Sequence, residues 1–510
     1  MLRLPAVAFA AFALVTFTAC DAADASAPVP FDPSTVNYDA LTPTDYETQI
    51  RPLLAARNVL SPVATDAPGD PADYALDAVV MAGPSGFVVP FDAPGSLMVR
   101  FTADLPDTAA IPFPNLRRLE ADERAFVARW IESGARATEG GAVPFSDATD
   151  LLFACLQGAN HVDILDAETM RIIRRVHFDA LGLPSAPYGP HHVAFEPGGS
   201  AWYVSLISTG AVAKLSTDLS MDPDTPAYLL ATARMTTPGM LAIDPSSNRL
   251  YVGRSTLSAA TTTGFAIIDR TTMAVDEVAT PFNVPHAMAV TPDGRFVLTA
   301  SLTGGQVAVY NTATEDLAIQ SVPGGPHELI HFAVLGAHHG GRAAAPASGH
   351  AGMDHSTMDH SAHGATPDAS AMHAYEATLT SRTTDTVLFF SMSPTGELTM
   401  TGTAPGGDGP WHAHVAHDGR TMLIPDRNGN TVTILDAVTK QTLRTVAASA
   451  PAGPISQPHS PAPDHMGERF FVTSSNLNGA WTPPYLFLGP AGSDDARAPL
   501  APAQFSNVTA

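Results

Sequence analysis

The sequence predicts a mainly β protein, a β-propeller of about seven blades preceded by a small α-helical domain. Three observations carry this. A proline-led unit recurs along 150–495 with a period of about 45 residues. Each unit holds short β-rich runs divided by turn residues, such as Pro292-Asp293-Gly294-Arg295 followed by Phe296-Val297-Leu298-Thr299-Ala300. Ahead of the repeats, 41–145 carries two helix patterns. Composition agrees: of 510 residues, 45% are hydrophobic and 15% charged, with 45 prolines, so the chain is globular and rich in turns. A net charge of −24 offers no clustered cations for phosphate contacts and excludes a nucleic-acid binder, while it suits a protein that attracts cations.

The first 20 residues set the destination. Arg3 gives a positive start, Leu4 to Phe17 is almost wholly apolar, and Phe17-Thr18-Ala19-Cys20 follows. This resembles a lipoprotein signal peptide (1–20), which implies lipidation of Cys20 and a membrane-anchored protein of the periplasm or cell surface. The alternative is an ordinary secretion signal cut near Ala25-Ser26-Ala27. The apolar run is short for a membrane span. With Cys20 lipidated, Cys155 is the one thiol left and no internal disulfide forms. Residues 21–40, rich in Ala, Pro, Asp and Ser, read as a flexible tether.

In 41–145, Tyr46 to Leu54 reads as a helix, and Phe126, Val127, Trp130 and Ile131 mark one face of another that Gly134 closes. The pair and their order resemble a small c-type cytochrome domain of the kind fused to bacterial propellers. That resemblance implies Cys-x-x-Cys-His after the first helix. The stretch here is Asn58-Val59-Leu60-Ser61-Pro62, and Ile111 before Pro112 stands where a distal methionine is expected. The expectation is a degenerate domain without covalent haem, kept as a docking or spacer unit; the alternative is an unrelated helical domain.

The repeat is carried by Pro190-His191-His192, Pro238-Gly239-Met240, Pro285-His286, Pro326-His327, Pro410-Trp411-His412-Ala413-His414 and Pro458-His459, at intervals of 48, 47, 41, 84 and 48 residues. The long interval holds an insertion, and 496–510 reads as a tail. Six starts plus 151–178, which begins mid-unit, suggest seven blades, the first and last segments completing one blade together. Six or eight blades are the alternatives. The pattern resembles the YVTN-type family of exported bacterial propellers.

Two features carry chemistry. The insertion 338–373 contains seven of the 19 histidines and a doubled Met-Asp-His-Ser, with Met353, His355, Met358, His360 and His363 as candidate ligands. Thioether sulfur favours Cu(I) and imidazole accepts Cu(I) and Cu(II), so the loop looks like the Met/His-rich repeats of copper-resistance proteins. The bland alternative is a solvated loop that collects zinc or nickel weakly. The second feature is the set of blade-start histidines His191, His192, His286, His327, His412, His414 and His459, which a propeller brings to one end of its channel. Convergent imidazoles make a metal site. The set resembles the propeller of nitrous-oxide reductase, which implies a histidine-held copper cluster, although no cupredoxin domain follows. Domain order also resembles that of cytochrome-type nitrite reductases. Capping histidines without metal are the plainer reading, and lactonase activity rests on analogy.

The expected function is therefore copper capture, delivery or homeostasis by a lipoprotein, with copper ions and a periplasmic redox or copper-handling protein as partners. The alternatives are a copper-dependent periplasmic oxidoreductase and a protein-interaction scaffold.

Overall fold

The computed structural model describes residues 32–61, 67–82, 85–102, 119–184, 186–255, 263–335, 375–416, 418–447, 457–463, 469–474 and 486–490. Cys20, Ile111, the 338–373 insertion with its five candidate ligands, and the 496–510 tail lie outside them.

Both N-terminal helix patterns form helices, because their apolar spacing gives each one face to bury. A widened turn, Tyr46–Ile50, runs into the helix Arg51–Ala56. Asp45 starts it by accepting the Thr48 N–H at 2.8 Å. The second helix, Ala121–Glu132, opens on a capping box between Glu120 and Glu123, and Gly134 follows at φ +101°, a left-handed conformation that ends a helix at no steric cost. Tyr46, Ile50, Leu53 and Leu54 pack with Phe126, Val127, Trp130 and Ile131 in one core, the Tyr46 and Trp130 rings 5.2 Å apart. The stretch where a haem-attachment motif is expected serves packing instead. The Tyr74 hydroxyl donates to Asn58 Oδ1 at 3.0 Å and accepts the Leu60 N–H at 3.1 Å.

The rest is β. Among the described residues, seven antiparallel sheets follow one another along the chain, and adjacent sheets pack face to face as propeller blades: 151–177, 190–234, 238–283, 285–321, 329–405, 414–447 and 458–490. Five have four strands; the first and last have three among the described residues. The middle strands read as continuous apolar runs because a neighbouring blade covers each of their faces. Ala201–Leu206 and Phe296–Ser301 are buried at every position. Outermost strands such as Gln441–Ala447 are mostly exposed or half-exposed. Turns between third and fourth strands recur as Asp/Asn-x-x-Thr-x. Asp269 and Asp436 each accept backbone N–H groups two and three residues on, and Met170, Met273, Glu315 and Lys440 close their turns at φ between 58° and 61°.

Among the described residues the first and last segments, 151–177 and 458–490, form two three-stranded sheets. Their packing joins them: Leu152, Ala154 and Ile172 of the first share a cluster with Ala462 and Phe471 of the last. The fifth blade does not start at Pro326-His327; its inner strand is Leu329–Leu335. The insertion lies within this blade, between two strands that still pair, Leu335 opposite Glu376.

The helical region is fastened to the first blade. Val89 enters the cluster shared by the first and last blades. Ser85 Oγ accepts the Ile172 N–H at 2.8 Å. Arg175 donates to Asp92 at 2.8 Å and to Asp163, on the adjacent strand, at 2.6 Å.

Candidate metal centre

Each inner strand opens on a β-bulge, and this positions the site. Pro190 pairs with Leu206 and Val193 with Val204, so His191 and His192 together oppose Ser205. The same shift sets Gly239 and Met240 against Gly253, Ile330 and His331 against Thr380, and His459 and Ser460 against Thr473. In the fourth blade the extra residue is His286, between Pro285 and Ala287. In the sixth, Trp411, His412 and Ala413 lie between the pairs Pro410–Asp426 and His414–Leu423. A regular strand sends successive side chains to opposite faces. A bulge breaks the alternation, so second and third residues both reach the channel. Gly253 lets blades meet closely here, since a Cβ on it would lie 2.5 Å from the His286 carbonyl oxygen.

Five imidazoles from five blades converge. His412 lies at their centre, with ring centroids 4.6 Å from His459, 5.3 Å from His331, 6.0 Å from His286 and 6.5 Å from His191. His191 lies 5.9 Å from His286 and 6.3 Å from His459. Burial and neighbouring imidazoles keep the cluster neutral. Desolvation, with help from His286 and Arg427, holds His191 down to about 3. Desolvation, with His414 and His286 beside it, puts His331 at about 3, and His286 lies at about 4 for the first of these reasons. His412 and His459 fall well below the ordinary range, again through desolvation first.

Neutral rings are what a metal requires. His286 Nδ1 donates to the Ile330 carbonyl at 3.1 Å, leaving its Nε2 as the lone-pair nitrogen. Both nitrogens of His412, 3% exposed, lack a hydrogen-bond partner, as do Nδ1 of His331 and Nδ1 of His459. A ring bound at about 2.0–2.1 Å has its centroid roughly 3.2 Å from the ion, so ligating pairs lie roughly 5–6 Å apart. From His412, the separations to His331 and His286 fall in this range, while His459 is closer and His191 farther. In their present rotamers, however, no three His, Cys, Asp or Glu side chains among the described residues are arranged to hold an ion. The rings must turn to converge.

The other predicted ligands separate. His327 lies outside the convergence: its Nδ1 accepts from Ser381 Oγ at 2.8 Å and its Nε2 donates to the Pro323 carbonyl at 3.2 Å, because it precedes the inner strand and serves the loop. His192 has its Nδ1 occupied by the Leu241 N–H at 3.3 Å. His192 and His414 line a cavity of about 350 Å³ together with His331, His412, Met240 and Met288. His331, Met240 and Met288 were not expected from the sequence. Leu329-Ile330-His331-Phe332 has no Pro-His signature, and only alignment of the strand pairings on Pro190-His191-His192-Val193 finds it.

Beside the cluster, Trp411 stacks on His412 at 6.0 Å, and its ring lies 5.6 Å from His459. The Arg427 guanidinium lies 4.1 Å from the Trp411 ring centre and that of Arg382 5.5 Å.

A family described as "Lactonase, 7-bladed beta-propeller" matches residues 216–328. His331, Trp411, His412 and His459 fall outside that stretch. No curated protein matches the chain. Among solved structures, a functionally unknown protein from Desulfotomaculum acetoxidans is similar with 11% identity, a TM-score of 0.51, and coverage of 71% of this chain and 98% of that one. The periplasmic gluconolactonase PpgL of Pseudomonas aeruginosa has 15% identity, a TM-score of 0.49, and coverage of 71% and 98%. The dihydro-heme d1 dehydrogenase NirN has 11% identity, a TM-score of 0.45, and coverage of 84% and 91%. The likeness is one of fold.

Proposed function

We propose that this is an exported propeller that binds copper at one end of its channel, acting in copper capture or delivery. The observation that carries the reading is the convergence on His412: neutral imidazoles from five blades, four buried and His331 half-buried, with centroids 4.6–6.5 Å from that of His412, three of the rings with a nitrogen that nothing satisfies. An unsatisfied buried nitrogen costs roughly 1–3 kcal/mol. Several at one point are best explained by a ligand that repays them. Copper is favoured over zinc because Met240 and Met288 line the same cavity; thioethers are soft donors that select Cu(I). The 338–373 sequence supports the same metal by composition. The reading as a lipoprotein rests on residues 1–20, and Cys20→Ser should abolish acylation and membrane association.

The decisive experiment is metal analysis of a chain lacking 338–373, so that only the channel contributes, stripped with a chelator and loaded with copper. The expected result is retained copper that His412→Ala/His459→Ala loses. No retained copper, or equal copper in the double variant, overturns the assignment.

A further inference from the structure

The channel mouth holds a second set of groups that metal ligation does not use, and they are donors. Arg427 follows directly on Asp426, whose strand Thr421–Asp426 ends against the start of the sixth blade's inner strand at the Pro410–Asp426 bridge. The guanidinium carbon lies over the Trp411 ring, 4.1 Å from its centroid. Among the described residues no carboxylate pairs with it, and it donates to no acceptor. The groups that shift its ionisation are burial and the like charge of Arg382. Arg382, on the same indole, is engaged with Glu328 at 3.4 Å. The Trp411 Nε1–H is buried without an acceptor. The rings next to them are uncharged, and Arg427 is near enough to His191 and His459 to hold down their protonation. A half-buried cation without a counter-charge, beside a buried indole donor and a layer of neutral imidazoles, is an unbalanced site. In a chain of net charge −24, Arg427 has no acidic partner among the described residues.

We propose that Arg427 and the Trp411 Nε1–H form a binding site for a small anion, a carboxylate or inorganic oxyanion, at the channel mouth next to His459 and His412. The guanidinium presents a planar fork that fits two oxygens of such a ligand. The indole supplies a third donor, and its ring, 4.1 Å from the guanidinium, holds Arg427 in place. The site does not require a metal. When a metal is present, the anion sits beside it and offsets the positive charge of Arg427.

The test uses the full chain, stripped of metal and titrated at constant ionic strength with acetate and, separately, inorganic phosphate. Trp411 fluorescence is the readout, identified by its loss in Trp411→Phe. Saturable binding of at least one probe is expected, weakened roughly tenfold to a hundredfold in Arg427→Gln, as for loss of a charge-assisted hydrogen-bonded pair. Arg427→Lys, which keeps the charge and loses the fork, should bind more weakly than wild type and more tightly than Arg427→Gln. No saturable response to either probe in the wild type overturns the proposal, and so does wild-type affinity in Arg427→Gln. Should circular dichroism show Arg427→Gln unfolded, Arg427→Lys decides: unchanged affinity refutes the site and a severalfold loss supports it. Because the protein is metal-free throughout, the copper assignment can fail without altering this outcome.

Discussion

Replacing His412 with Leu should have opposite effects in the metal-free and the metal-loaded protein. His412 is 3% exposed, and neither ring nitrogen has a hydrogen-bond partner. In the metal-free protein its two polar atoms are therefore buried at a cost of roughly 1–3 kcal/mol each. Leucine is close in size, has no polar atom, and faces Ala413, Met240 and Met288 across the cavity. Allowing about 1.5 kcal/mol for imperfect repacking, His412→Leu should stabilise the stripped protein by about 0.5–4.5 kcal/mol. With metal the sign reverses. A ligand present at a ten-thousandfold excess over its Kd stabilises the folded chain by about 5.5 kcal/mol, which the variant forfeits. Thermal unfolding of both proteins, stripped and copper-loaded, gives four melting temperatures whose order should cross. If His412→Leu melts well below wild type without metal, His412 is a structural residue with satisfied nitrogens. If the two gain equally from copper, His412 is no ligand. Either result refutes the argument.

Other outcomes follow from the same structure. Met240→Leu/Met288→Leu should leave the fold intact and lower the preference of the channel for Cu(I) over Zn(II) in chelator competition, because the thioethers on that wall are the soft donors. Deleting 338–373 and joining its ends with a short turn should change the melting temperature little, since Leu335 and Tyr375–Ser381 already belong to one antiparallel pair. Arg175→Met should destabilise by about 3–5 kcal/mol in denaturant titration, because it strands Asp163, wholly buried, and Asp92 without their cation. The junction should also be pH-dependent. Burial alone would raise Asp92, but the His177 hydrogen bond and the Arg175 charge outweigh it and hold Asp92 at about 2, below its ordinary 3.8. Against the opposing effect of burial, Asp92 and Asp224 raise His177 above 6.5. The lowered Asp92 stabilises above about pH 4 and loses this as pH falls toward 2. The raised His177 stabilises below 6.5 and loses this as pH climbs through its folded value. The melting advantage of wild type over Asp92→Asn should therefore be greatest between about pH 4 and 6.5 and shrink on both sides, with Asp163, His161, Arg175 and Asp224 common to both proteins. A flat difference across pH 3–8 would contradict the pairing.

By itself the sequence determined everything that rests on local periodicity. Phe126, Val127, Trp130 and Ile131 lie one helical face apart, so their helix and buried side are fixed before anything else folds. The middle strands of each blade are rich in apolar residues because both faces are covered, and turn residues at intervals near 45 mark the blades. Pro-His at several blade starts was enough to place His191, His286, His412 and His459 at one end of a channel. Tertiary structure decided what depends on register and ring closure. The bulge in each inner strand is a pairing event between distant segments, and only it shows that His331, without a proline before it, occupies the position of His192. The same register left His327 outside the ring, bonded to Ser381 and Pro323. It also brought Arg427, just after the strand Thr421–Asp426, over Trp411, just before the strand His414–Val415. Alternation along a chain says which face a side chain takes, whereas the meeting of five blades at one point is set by how the sheets close around the channel.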